Sequence, residues 1–311
     1  IEIENVSTEA LHELENSGMK VYPRPGVLDL IKNKVIQKDF YTANNISTAN
    51  YYTFNTAEER DAKLNESNIQ LPFVWKAAQF GYDGNGVKII RTSEDLVGLP
   101  NTECIAEEMV PFKNELAVIV TRNPSGEIRN YPVVEMEFHP EANQVEYVIC
   151  PARISDDVAE KAREVALKVA DSFDFIGLLA VEMFQTQEDE ILVNEAAPRT
   201  HNSGHYSIEA SYTSQFEQHL RSILNLPLGN TESKVAGIMV NLVGAEGYTG
   251  DVVYKNIEEI LNIEGVTPHI YGKKTTKPFR KMGHVTIVDK DINRARKTAQ
   301  KVKETIKVIS K

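Results

Sequence analysis

The sequence of 311 residues reads as an α+β protein with at least one antiparallel sheet, and three stretches carry that expectation. In "ELAVIVTRNPSGEIRNYPVVEMEF" two β-rich runs flank Asn, Pro, Ser and Gly, the residues that tight turns use. "GLLAVEMF" and "EILVNEAAP" make a second hairpin. Between the two, "SDDVAEKAREVALKVADSF" reads as an amphipathic helix. Ser155 can cap it, Asp156 and Asp157 suit its positive end, and Val158, Val165, Ala166, Val169 and Phe173 share one face. Hairpin strands mixed with helices speak against one doubly wound sheet.

The other elements follow in chain order. "IEIENV" reads as a strand already under way, so an N-terminal portion ahead of it is expected. Ser7 as N-cap and Gly18 as C-terminal stop bracket a helix. "KVYPRP" returns extended. "PGVLDLIKNKVIQKDFYTANN" spaces Val27, Leu28, Ile31, Val35, Ile36 and Phe40 as a helix does. "ISTANYYTF" is a strand, "LPFVWKAAQ" and "VKIIRT" are strands joined by a glycine-rich loop, and "ECIAEEMVP" is a strand ending in a turn. A tail domain holds strands "KVAGIMVNLVG", "PHIYGK" and "GHVTIVD" and a final helix from Asn293.

With 34 basic and 45 acidic residues the net charge is −11, which argues against general nucleic-acid binding but leaves room for a locally basic pocket. The basic residues of the last helix (Arg294, Arg296, Lys297, Lys301, Lys303) read as a solvated face. Cys104 and Cys150 lie in apolar runs without metal-ligand spacing and are expected to be buried free thiols in a reducing compartment. No signal-peptide pattern and no apolar run of spanning length is read, so a cytoplasmic protein without a membrane partner is expected.

Chemistry enters at "FGYDGNGVKII". Gly81, Gly84 and Gly86 fit a plain hairpin turn, and they also fit a loop whose backbone N–H groups close over phosphates. Lys76, inside an apolar strand just before that loop, is an outward-facing strand residue or a cation on nucleotide phosphates. The loop is not a P-loop, which needs Gly-Lys-Ser/Thr opening a helix. "AEEMV" is an ordinary strand end, or a strip whose backbone reads an adenine edge while Glu115 takes the ribose hydroxyls.

Glu182 and Glu195 carry the strongest physical argument. A turn centred in "QTQEDE" puts Glu195 opposite Ala180, on the same face as Glu182. The carboxylates are then diagonal neighbours, about 7–8 Å apart at the backbone. Two like charges so placed fit a solvated face, or they fit Mg²⁺ on nucleotide phosphates. Asn194 is expected on the opposite face. "APRTHNSGHY" follows at once, with Arg199, His201, Asn202 and Ser203 suiting a small anion. "GKKTTKPFRKMGH" has six cations and no acid, which suits a phosphate ester.

This order of motifs resembles the ATP-grasp superfamily, and within it the ATPase subunit of phosphoribosylaminoimidazole carboxylase, the N5-carboxyaminoimidazole ribonucleotide synthetase family. "GYDGNG", "NEAAPRTHNSGHY" and "RKMGH" carry the likeness, which spans nearly the whole chain. The resemblance implies an ATP-grasp fold in which 1–29 are the remnant of a Rossmann-like domain, 30–227 the core with a glycine-loop subdomain at about 50–112, and 228–311 a small C-terminal domain. It implies a ligase of purine biosynthesis, using ATP, Mg²⁺ and bicarbonate to carboxylate 5-aminoimidazole ribonucleotide, and a homodimer.

The residue roles it implies are these. Lys34 and Lys76 contact phosphates, Glu107, Glu108 and Val110 form the adenine hinge, Glu115 meets the ribose, and Asn194 joins the ATP site. Glu182 and Glu195 hold magnesium. Tyr82 and Asp83 reach the acceptor amine. Arg199 and His201 hold bicarbonate or carboxyphosphate, with Asn202 and Ser203 beside them, and Lys273, Arg280 and Lys281 hold the ribonucleotide phosphate. The family usually has Pro where Thr200 stands and Gly where Phe279 stands. The rival readings are another ATP-grasp carboxylate–amine ligase and a nucleotide-binding protein without catalysis.

Overall fold

The computed structural model describes residues 1–3, 5–66, 69–79, 86–139 and 144–311. Its α+β architecture is as the sequence predicts, with every sheet antiparallel. Among the described residues of the first six, none lies in the expected strand, and the Ile1 ammonium donates to Tyr22 O at 2.8 Å. Helix α1 (Thr8–Asn16) follows, with Ser7 Oγ accepting from Ala10 N and Gly18 beyond the end at φ +92°.

The next helical stretch is two helices, α2 (Pro25–Lys32) and α3 (Lys34–Ala43). Asn33 breaks it: its backbone is extended (φ −115°, ψ 117°), and its side chain accepts from Val35 N and Ile36 N. Then come β1 (Tyr51–Phe54), a helix the sequence did not announce, α4 (Ala57–Glu66), and β2 (Phe73–Ala77), β3 (Val87–Ile90) and β4 (Cys104–Glu108). These strands form a four-stranded sheet in the order β1-β4-β2-β3, over a core of Phe54, Phe73, Trp75 and Ile90.

The rest is built on one large sheet. Its strands are β5 (Phe112–Arg122), β6 (Ile128–Asn130), β7 (Val134–Phe138), β8 (Val145–Cys150), β9 (Gly177–Thr186) and β10 (Ile191–Ala197), with α5 (Asp156–Ser172) packed on them. Short α6 (Ser207–Ala210) and α7 (Gln215–Ile223) lead to β11 (Ala236–Val243) and β12 (Gly250–Lys255). Then follow α8 (Ile257–Leu261), β13 (Val266–Ile270), β14 (Thr275–Thr276), β15 (Lys281–Asp289), α9 (Ile292–Thr305) and β16 (Lys307–Ser310). The order is β10-β9-β5-β7-β8-β11-β15-β13, with β6 on β5, so the sheet runs on past residue 227 into the tail. Strands β14, β12 and β16 form a small third sheet.

Two of the cores on this sheet lie under helices. Val158, Ala162, Ala166 and Val169 of α5 pack on Leu116, Val118, Leu179 and Val181, and Ala295, Ala299 and Val302 of α9 pack on Ile238, Val240, Val285 and Ile287. The cations of α9 are not all a solvated face: Arg296 bonds Glu137 and lies 4.0 Å over the Tyr147 ring, and Lys303 pairs with Glu146. Both cysteines are buried and free. Among the described residues no helix is long and apolar enough to cross a membrane.

Candidate active site

Three lysines and several carboxylates meet where α3, the four-stranded sheet and the β9–β10 hairpin come together. The break at Asn33 makes Lys34 the first residue of α3, and Lys38 follows one turn on, so both project from one helix face. Asn33 Nδ2 donates to Glu103 at 2.9 Å and Lys34 N to Ala78 O at 2.8 Å, which ties the helix start to the end of β2. Lys34 Nζ reaches Glu195 Oε2 at 2.5 Å. Lys38 and Lys76 take the two oxygens of Glu107, Lys38 also donates to Thr48, and Lys76 Nζ donates to Asn194 Oδ1 at 3.0 Å. The sequence does not single out Lys38. Its one signal is position, four residues after Lys34, and the anion it needs comes from a strand 69 residues away.

The carboxylate pair is closer than the sequence reading has it. Glu195 lies directly across from Glu182, not across from Ala180, which pairs with Ala197. The cause is a bulge: the register shifts between Val193 and Glu195, leaving Asn194 as the extra residue. The expectation that Asn194 faces away therefore fails, since the bulge lets its side chain meet Lys76.

The charges sort themselves by partner. The Glu195 carboxyl is held well below the usual range by Lys34, while burial and then the charge of Glu195 push Glu182 up. Burial would lower the Lys34 ammonium, but Glu195 overrides it and the net shift is upward. Burial would raise Glu107, yet Lys76 and Lys38 bring it down. Lys38 itself falls to about 8 through burial, and burial lifts Glu115 to about 7. The Glu195 side chain is 42 % exposed, so a ligand can reach it.

The anion loop stands beside this pair. Ser203 N donates to His201 Nδ1 at 3.3 Å, so Nδ1 accepts and the ring proton sits on Nε2, which faces Glu182 Oε1 at 3.2 Å. Burial, then Arg199 and Lys281, bring His201 down to about 3. Arg199 Nη1 donates to Thr200 O at 3.0 Å. Asn202 and Ser203 are engaged within the protein: Asn202 and Asn241 exchange amide hydrogen bonds at 2.9 and 3.0 Å, and Ser203 Oγ lies 2.9 Å from His201 Nδ1. Gly204 is required by close approach, because a Cβ there would lie 2.3 Å from Ile119 Cδ1 and 2.5 Å from Gln215 Oε1.

Lys281 at the start of β15 is near enough to act on Glu182 and His201, which brings one C-terminal cation to the same site. Lys273 Nζ donates to Lys281 O at 2.7 Å, and Arg280 Nη1 to Thr275 O at 2.8 Å. Phe279 has a left-handed φ of +61°, the region that favours glycine. Glu107 and Glu108 end β4, and Val110 stands in the link to β5. Glu108 N donates to Asn50 O at 2.9 Å, whereas the Glu107 side chain turns inward to the lysines. Gly86 opens the return strand at φ +72°; Gly81, Tyr82, Asp83 and Gly84 lie outside the described residues.

A small antiparallel sheet facing a large one, with a glutamate strip on the first and paired carboxylates on the second, defines an ATP-grasp protein. Residues 39–216 match the ATP-grasp domain, and residues 237–298 match the phosphoribosylaminoimidazole carboxylase C-terminal domain. The chain belongs to the N5-carboxyaminoimidazole ribonucleotide synthase family.

It is 36 % identical over 291 residues to the N5-carboxyaminoimidazole ribonucleotide synthase of Synechococcus elongatus, covering 92 % of this chain and 72 % of that protein. It is 37 % identical to the phosphoribosylaminoimidazole carboxylase of Ogataea methanolica, with 94 % of this chain matched, and spans only 54 % of that protein's length. The N5-carboxyaminoimidazole ribonucleotide synthetase structure from Thermotoga maritima superimposes with a TM-score of 0.88 at 44 % identity, covering 100 % of this chain and 81 % of that one. The Aspergillus clavatus synthase in complex with ADP and 5-aminoimidazole ribonucleotide gives 0.86 at 32 % identity, covering 96 % and 79 %.

Proposed function

We propose that the chain carries out the ATP-dependent carboxylation of 5-aminoimidazole ribonucleotide with bicarbonate, giving N5-carboxyaminoimidazole ribonucleotide, ADP and phosphate. Bicarbonate oxygen takes the γ-phosphoryl group, ADP leaves, and carboxyphosphate forms. The exocyclic amine then attacks the carbon: an N–C bond forms, the bond from carbon to the phosphate oxygen breaks, and the amine loses a proton. Relatives named for this activity and a solved relative holding ADP and the aminoimidazole ribonucleotide support the reading.

The carrying observation is the contact of His201 with Glu182. It joins the anion loop to the carboxylate pair, so a small anion held by Arg199 and His201 lies beside the place where nucleotide phosphates end. Lys34 and Lys76 neutralise those phosphates, and the strip from Glu107 to Val110 takes the adenine, with Glu115 at the ribose. Lys273, Arg280 and Lys281 bind the phosphate of the acceptor. Tyr82 and Asp83 are assigned to the acceptor amine.

Glu182 and Glu195 fit Mg²⁺: they are oxygen donors on adjacent strands, and a ligand can reach Glu195. When bound, the ion supplies charge neutralisation at the phosphates. Among the described residues no cluster of three or more His, Cys, Asp or Glu side chains could hold a metal, so the remaining ligands in this proposal are phosphate oxygens and water.

In the same proposal residues 30–227 form the core, 50–112 cover the nucleotide, and 228–311 close the acceptor side. A cytoplasmic homodimer belongs to it too, and exposed Phe216 and Leu220 of α7, with Leu224 at its C-terminal end, offer a surface to bury. Glu195→Gln tests the site: phosphate release from ATP should fall by at least about 100-fold with the fold intact. Release within about twofold of wild type at saturating Mg²⁺ would refute the metal assignment.

A further inference from the structure

Gln215 is fully buried at the start of α7, and its role is unexplained by the assignments above. The backbone of His201 fixes its amide: Oε1 accepts His201 N–H at 2.9 Å, and Nε2 donates to His201 O at 2.8 Å. The same Nε2 lies 2.9 Å from His205 Nδ1. A nitrogen that carries protons thus faces the ring nitrogen, so His205 Nδ1 must accept and the ring proton sits on Nε2.

The surroundings of His205 agree. Its ring stacks on Phe216 at 5.7 Å and on His284 at 4.7 Å, and meets Tyr271 edge-on at 6.4 Å. His284 stacks in turn on His269 at 4.5 Å, and the carboxylate of Glu209 on α6 is bonded to His269 at 2.8 Å. After burial, the groups that act on His205 are Lys281, then His269, then Arg199, and all three disfavour a charged ring. An imidazolium there would lose the Gln215 bond and face the cations Lys281 and Arg199. Burial, then Lys281, brings the group down to about 4.

We infer that Gln215 is a positioning residue that clamps the anion loop at His201 and holds His205 as its Nε2–H tautomer, so that the loop presents a neutral hydrogen-bond donor beside Arg199 and Lys281. Such a donor helps hold an anionic oxygen without adding a third positive charge. Its consequence for turnover rests on the carboxylation reading; the tautomer does not.

The test is a long-range ¹H–¹⁵N imidazole spectrum of the ¹⁵N-labelled full chain without substrates, from about pH 5.5 to 8.5. Wild-type His205 should stay neutral, with Nδ1 unprotonated, throughout. In Gln215→Glu the carboxylate draws the proton to Nδ1 and moves the His205 titration into that range. The same variant should lower kcat about tenfold or more with the KM for ATP within about twofold. A wild-type His205 protonated on Nδ1 overturns the inference, and this spectrum decides even where the variant fails to fold. So does a folded Gln215→Glu protein with wild-type tautomer and titration. Because the spectrum needs no substrate, failure of the carboxylation reading is seen separately, as absent acceptor-dependent phosphate release.

Discussion

Replacing Glu107 by glutamine would leave two buried lysines without the anion they share. Lys38 and Lys76 each hold one of its oxygens, and the side chains of Glu107 and Lys38 are 4 % and 3 % exposed. Removing one partner from a buried ionic group costs about 3–5 kcal/mol, a large part of a total stability of about 5–15 kcal/mol. Lys38→Met acts the other way on the charge count. It leaves Lys76 and Glu107 as a one-to-one pair and should cost less than about 1 kcal/mol.

The two variants also differ in pH dependence. Lys38 already falls to about 8 with Glu107 present, so it is neutral at pH 7 in Glu107→Gln, while the unfolded chain protonates it up to its ordinary 10.5. The unfolded state then binds the extra proton, and stability rises with pH by about 1.4 kcal/mol per unit above neutrality. Lys38→Met lacks that slope. Urea unfolding followed by Trp75, the single tryptophan and next in sequence to Lys76, reads both effects locally. A Glu107→Gln cost below about 1 kcal/mol at pH 7, or equal costs for the two variants, would refute the reasoning.

Other predictions follow from the same geometry. Glu115, raised by burial to about 7 from an ordinary 4.5, binds a proton in the fold that the unfolded chain has released between those values. Its contribution to stability is present below pH 4.5 and is lost as pH rises through 7, about 3 kcal/mol in all; Glu115→Gln, followed by urea unfolding across that window, should flatten the decline. Phe279 sits at φ +61°, where glycine is at ease and alanine is not, so Phe279→Gly should unfold at a higher urea concentration than Phe279→Ala, by about 1 kcal/mol. Arg280→Ala should raise the KM for the aminoimidazole ribonucleotide about tenfold while kcat and the KM for ATP stay nearly unchanged, read from initial rates.

What the sequence shows is what neighbours in the chain decide. Ser7 and Ser155 cap helices as expected, and Asn123 to Gly126 turn the β5–β6 hairpin, because each such signal is complete within a few residues. Two further features depend on distant partners. The break at Asn33 is anchored by Glu103, 70 residues on, and the bulge at Asn194 is stabilised by Lys76, 118 residues away. Period-two counting across the β9–β10 turn has no signal for the extra residue, so it puts Glu182 and Glu195 two positions apart instead of face to face. Lys38 reads as one more helix-surface lysine until Glu107 is folded against it. Helix α4 is polar nearly all round and carries no apolar stripe to announce it. The alternation in the first six residues suggests a strand, but a strand forms only against a partner, and the described residues there have none.

The central claim is that one site couples ATP cleavage to carboxylation of an amine. It is tested most directly by counting fixed ¹⁴C-bicarbonate and released phosphate in one reaction of the full chain with ATP, Mg²⁺ and 5-aminoimidazole ribonucleotide. The account predicts phosphate release that needs both bicarbonate and the ribonucleotide for its full rate, with about one carboxylated product per phosphate. Phosphate release indifferent to the ribonucleotide, or release without fixed label, would contradict it.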